Sequence, residues 1–135
     1  MPDERPVQIG VVAERTAMSI PTLRHYDEVG LVTPSARSEG GFRLYTEEDI
    51  RRILVIRRMK PLEFTLAEMR AVLDSLDTLN DDQADPPSRL AAKEVLVSYH
   101  GRALEATARL ERRLSYAKEL AGIFEQKIDD PRLLP

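Results

Sequence analysis

The 135-residue sequence predicts a mainly α-helical fold, a compact head followed by one long helix. Three observations carry that prediction. Thr46 and Thr65 each stand three residues ahead of an acid, Asp49 and Glu68. At that spacing a cap residue and the third helical residue satisfy each other's backbone N–H groups. Proline and glycine punctuate the first half at Pro21, Gly30, Pro34, Gly40, Gly41 and Pro61. After Pro86-Pro87 the chain then runs to residue 128 without proline, with apolar or small residues recurring at steps of three and four.

Taken in order, residues 9–16 read as a short helix with Ile9, Val12 and Ala13 inward. Ala17-Met18 makes a tight turn. Ser19 is a good helix cap, and Pro21 is tolerated in the first turn that follows. Leu23, Tyr26 and Val29 fall on one face, and Gly30 ends the helix as a left-handed cap. A helix, a short turn and a capped second helix make a helix-turn-helix. Leu31-Val32-Thr33-Pro34 is expected to be extended, Ser38-Glu39-Gly40-Gly41 to turn, and Phe42-Arg43-Leu44-Tyr45 to alternate as a strand. This gives a two-stranded hairpin, or wing.

Thr46 opens the next helix, where three acids suit the positive end of the dipole. Ile50, Ile53, Leu54 and Ile56 form its buried face, and Arg51, Arg52, Arg57, Arg58 and Lys60 make the remainder basic until Pro61. Thr65 caps a further helix with Leu66, Met69, Val72, Leu73 and Leu76 inward. Residues 77–87 read as an acidic linker. Residues 88–128 carry a stripe at Ala92, Leu96, Tyr99, Ala103, Ala106, Leu110, Leu114, Ala117, Ala121, Phe124 and Ile128, heptad-like with one four-residue stutter between Leu110 and Leu114. A helix of about 40 residues spans about 60 Å. No other segment is that long, so a second copy of the chain is the economical partner. Residues 129–135 form a short tail.

Composition narrows the function classes. The chain has no cysteine, which removes thiolate metal sites, disulfides and thiol redox sensing together. No stretch reaches membrane-spanning length and residues 1–6 lack the apolar core of a signal peptide, so a cytoplasmic location is expected. No nucleophile–base pair, glycine-rich phosphate loop or His/acid metal cluster points to an enzyme, and no cofactor is expected. Net charge is −3, but it is unevenly spread. Residues 1–60 hold ten Lys/Arg against nine Asp/Glu, and the remainder ten against fourteen. The first half can therefore present a basic face to nucleic acid.

Three blocks, TLRHYDEVGLVTP, GGFRLYTEEDIRR and PLEFTLAEMRAVL, closely resemble the MerR family of bacterial transcription regulators. The likeness covers residues 7–76 and continues loosely along the long helix. It implies a winged helix-turn-helix DNA-binding domain joined to an antiparallel coiled-coil dimer. It further implies binding to a palindromic operator in double-stranded promoter DNA, distortion of an over-long spacer for RNA polymerase, and in many members a small-molecule inducer. Matched position by position, Arg24 and Tyr26 fall on DNA-contacting positions of the recognition helix, and Arg43 and Tyr45 on the wing's Arg-x-Tyr pair. His25 stands where the family usually has a second Tyr, and Ala17 where it often has Gly.

The expected DNA-binding residues are Ser19, Thr22, Arg24, His25, Tyr26, Arg37, Arg43, Tyr45 and Arg58. The expected dimer interface is Leu96, Tyr99, Ala103, Leu110, Leu114, Ala117, Ala121 and Phe124. Plainer readings stand beside these: solvated surface charge for the arginines, and core packing with a rim hydroxyl for the tyrosines. Two rival functions are a constitutive repressor or architectural DNA-binding protein without an inducer, and a coiled-coil adaptor that binds no DNA. The second leaves the wing and recognition helix without a purpose.

Overall fold

The computed structural model describes residues 5–133. In chain order the elements are α1 (Ile9–Thr16), α2 (Ile20–Glu28), β1 (Ala36–Arg37), β2 (Arg43–Leu44), α3 (Glu47–Met59), α4 (Leu66–Asn80) and α5 (Pro86–Ile128). Short 3-10 turns cover Lys60–Leu62 and Pro131–Leu133. Among the described residues two units result, divided between Leu96 and Val97.

The first unit is built by local rules that close on a shared core. Ser19 Oγ accepts from the Thr22 N–H and starts α2. Gly30, at φ +71°, turns the chain away after α2, a conformation that costs glycine nothing. Both predicted capping boxes form, Thr46 with Asp49 and Thr65 with Glu68. The core gathers Val12, Leu23, Tyr26, Leu31, Val32, Ile50, Ile53, Ile56, Met69 and Leu73, each nearly sealed from solvent. Ala17 takes the left-handed conformation at φ 56°, so a residue with a Cβ occupies a glycine-type turn.

Several expectations shift. In α1 the buried residues are Val12 and Thr16, while Ile9 and Ala13 are only half-buried. Thr16 turns its hydroxyl back onto the Val12 carbonyl at 2.7 Å, which lets a polar residue sit inside. The first wing strand is Ala36–Arg37, not 31–34, because Leu31 and Val32 are drawn into the core. The turn then fixes the register, with Arg37 opposite Arg43 and Ala36 opposite Leu44. Leu66 is 41% exposed rather than inward. As the first residue after its cap, it lines a surface groove with Pro21, Thr22, His25, Tyr26, Lys60, Phe64 and Met69.

The expected linker 77–87 is shorter in the structure. Helix α4 continues to Asn80, held by an ion pair of Arg52 with Asp77 and by the Thr78 hydroxyl on the Asp74 carbonyl. At the other end Asp85 accepts from the Ser88 N–H at 2.7 Å and starts α5 two residues earlier than expected. Pro86 fits that first turn, where an N–H has no helical partner. The hydrogen bonds from Ser88 hold the Asp85 carboxyl below the usual range.

The stripe on α5 divides along its length. Ala92 and Ala106 are buried, and Leu96, Tyr99 and Ala103 are half-buried. From Leu110 onward the stripe is open: Leu114 is 55% and Phe124 56% exposed, and Ala117, Ala121 and Ile128 are exposed as well.

Candidate nucleic-acid interface

The Arg43–Asp27 pair ties β2 to α2, and Tyr45 leads from β2 into α3. Tyr45 is 2% exposed, and its backbone pairs with Val7, N–H to carbonyl at 2.9 Å and 2.7 Å. Thus the segment before α1 adds a third, one-residue edge to the wing. Burial pushes the Tyr45 phenol upward from its ordinary value, the Asp27 carboxylate adds to that, and Arg43 pulls the other way. Asp49 and Arg24 act on the same phenol more weakly.

Along α2 the polar residues point outward. Arg24 and His25 are exposed, and among the described residues Arg24 makes no hydrogen bond or ion pair. Tyr26 is different: it is 3% exposed and packs in the core, its ring tilted 44° to that of His25. Among the described residues no buried side-chain oxygen or nitrogen lacks a partner. The Tyr26 and Tyr45 rings thus belong to the core, and any contact they make with DNA falls to a hydroxyl at the rim. Ser19 and Thr22 are tied to each other, Oγ to Oγ1 at 2.7 Å, and serve as the cap that aims α2.

The expected arginines have separate duties. Arg43 donates from both Nη atoms to the two oxygens of Asp27 at 2.8 Å and 2.9 Å, a fork that fastens the wing to α2. Arg37 reaches the Gly41 carbonyl at 3.3 Å and braces the turn of the wing. Arg58 is exposed and bonds the Leu54 carbonyl within its own helix. Arg57, on the same basic face, reaches the Thr16 carbonyl at 2.8 Å and closes the end of α1.

Sequence reasoning missed Arg70. Its Nη atoms donate to the carbonyls of Val29 and Gly30 at 2.8 Å and 3.0 Å, satisfying the orphan acceptors at the end of α2 from α4. The signal available was only that those carbonyls needed donors; nothing local names a donor 40 residues away. Arg15 likewise forms a bidentate pair with Glu47, at 2.7 Å and 2.9 Å, joining α1 to the start of α3. Among the described residues no cluster of His, Asp or Glu is placed to hold a metal ion, and no helix is long and apolar enough to cross a membrane.

With this geometry in hand, the comparisons with known proteins fall into one pattern. A family model described as the MerR HTH family regulatory protein matches residues 7–76. The nodulation protein NolA of Bradyrhizobium sp. (strain NC92) is 39% identical over 80 residues, 59% of this chain and 34% of that protein. The chain therefore spans about a third of the length of that relative. The HTH-type transcriptional regulator CueR of Salmonella typhi is 30% identical over 94 residues, 70% of this chain and 68% of that one. Among solved structures, HiNmlR, a MerR family regulator lacking the sensor domain and bound to promoter DNA, has the same fold. Its TM-score is 0.66 at 22% identity, covering 90% of this chain and 92% of that one. The winged helix-turn-helix described above, and the family model that matches it, place this chain in the MerR family of helix-turn-helix regulatory proteins.

Proposed function

We propose that the chain is a transcription regulator that binds double-stranded promoter DNA as a homodimer. The observation that carries the reading is the exposed face of α2, Arg24 and His25, fastened to the wing by the Arg43–Asp27 fork. A helix of this kind presents base-reading groups to the major groove, and a wing at a fixed offset grips the adjacent backbone. The open stripe from Leu110 to Ile128 supports a second copy as partner, since a lone helix leaves it in water. Two heads related by a two-fold axis then read a palindromic operator. Distortion of the promoter spacer for RNA polymerase, response to a small-molecule inducer and a cytoplasmic location follow as the family's pattern applied to this chain.

Fluorescence anisotropy with a labelled duplex from a promoter region that the protein regulates tests the reading. Arg24→Ala is expected to weaken binding by about 1–3 kcal/mol if Arg24 reads a base, with relaxed preference at one base pair. An equal loss across all sequences, with a shallower salt dependence, would assign Arg24 to phosphate instead. No salt-dependent binding at micromolar protein would remove DNA binding from the account.

A further inference from the structure

Asp27 presents a puzzle on a surface meant for a polyanion. It lies on the recognition helix, two residues from His25, and a carboxylate there repels phosphate. The structure offers a reason for its presence. Both carboxylate oxygens are used by Arg43, from Nη1 at 2.8 Å and from Nη2 at 2.9 Å. A guanidinium carries five N–H donors. The fork on Asp27 uses two of them, one from each Nη, so the Nε–H and the two outer Nη hydrogens are left over. The Arg43 side chain remains 48% exposed, whereas that of Asp27 is 22% exposed. The acid is thus the shielded partner and the arginine the open one.

We infer that Asp27 is a positioning residue, which clamps Arg43 by one edge of its guanidinium so that the other edge is presented, already immobilised, to a DNA phosphate. This rests on the DNA-binding reading and adds to it a division of labour between two residues. The clamp has a simple physical value. A free arginine on a two-residue strand must be frozen when it binds, which costs rotamer entropy. Arg43 sits on such a strand, β2 (Arg43–Leu44), with the exposed tip of the wing on the other side. Fastened to α2, it binds phosphate from a geometry it already holds. The fork also neutralises Asp27, so the acid costs the surface little long-range attraction.

A charge-matched comparison tests the clamp. Asp27→Ala and Glu28→Ala each remove one acid from α2, but Glu28 is exposed and outside the fork. Binding to one promoter duplex is measured across a salt series for both variants, for Arg43→Ala and for the Asp27→Ala/Arg43→Ala double variant, with circular dichroism confirming the fold of each. Glu28→Ala is expected to raise affinity slightly through the lost repulsion. Asp27→Ala is expected to lower it about three- to tenfold, the scale of freezing one long side chain, with the salt slope unchanged because the phosphate contact is still made. Arg43→Ala is expected to reduce the slope by about one, and on that background Asp27→Ala should behave like Glu28→Ala. In the free protein, the Arg43 guanidinium protons should exchange and rotate slowly by NMR, and Asp27→Ala should release them. If Asp27→Ala raises affinity as Glu28→Ala does, or costs as much without Arg43 as with it, the clamp is overturned while DNA binding stands. If the unaltered protein shows no salt-dependent binding, both fall.

Discussion

The two units of this chain handle apolar surface in opposite ways. In the first, Val12, Leu23, Ile53, Ile56 and Leu73 are sealed almost completely, and the polar groups that go inside bring partners with them. Asp49 shows the rule: its carboxylate accepts from the Thr46 N–H, the Ser35 N–H and the Ser35 hydroxyl. In the second, beyond Ala106, Leu110, Leu114, Phe124 and Ile128 stand in solvent along one helix. A head that closes on itself holds its exposed faces in fixed relation. A stripe that stays open calls for a partner. The difference separates surface that the chain buries within itself from surface that it leaves open.

Substitutions can break or sharpen that contrast, beginning with the strongest. Ile53→Ala removes a side chain that is 1% exposed, and by the usual transfer and cavity terms it should cost about 3–4 kcal/mol in urea unfolding. A loss under 1 kcal/mol would mean that the first unit is not tightly packed. Asp49→Ala strips a capping box and the anchor of the wing's entry, Ser35, at about 2–3 kcal/mol. Leu114→Ala should behave in the other manner. It leaves the melting of the first unit unchanged but weakens self-association by about 2 kcal/mol, read from sedimentation equilibrium. Unchanged self-association in Leu114→Ala would show that the stripe is not an interface. Smallest of all, Ala17→Gly relieves a left-handed residue and should stabilise by about 0.5–1 kcal/mol.

Much of this architecture was legible in the sequence where its causes are local. Ser19, Thr46 and Thr65 announce their helices because a cap and its acceptor lie within three residues. Gly30 announces the end of α2 because the left-handed conformation favours glycine. The residues that hold the site together were not legible in the same way. The Val7–Tyr45 pairing, the Arg43–Asp27 fork and the reach of Arg70 to the end of α2 each join residues 16 or more apart. No spacing rule encodes them; they follow from the packing of α2, the wing and α4. The wing itself shows the boundary, since its turn was readable but the core took Leu31 and Val32 out of the first strand. Tyr26 and Tyr45 fall between. Their positions were marked by family likeness, yet their rings turned out to be core, leaving Arg24 and His25 as the exposed polar groups of α2 between its cap and Asp27.

The central claim is that two copies, joined through the open stripe, place two such heads on one duplex. Sedimentation velocity of a labelled palindromic promoter fragment with excess protein measures it most directly. The account predicts a complex heavier than the free duplex by twice the 15.3 kDa chain mass, which dissociates as salt rises. A complex carrying one chain per palindrome, or a duplex that sediments unchanged at micromolar protein, would contradict it.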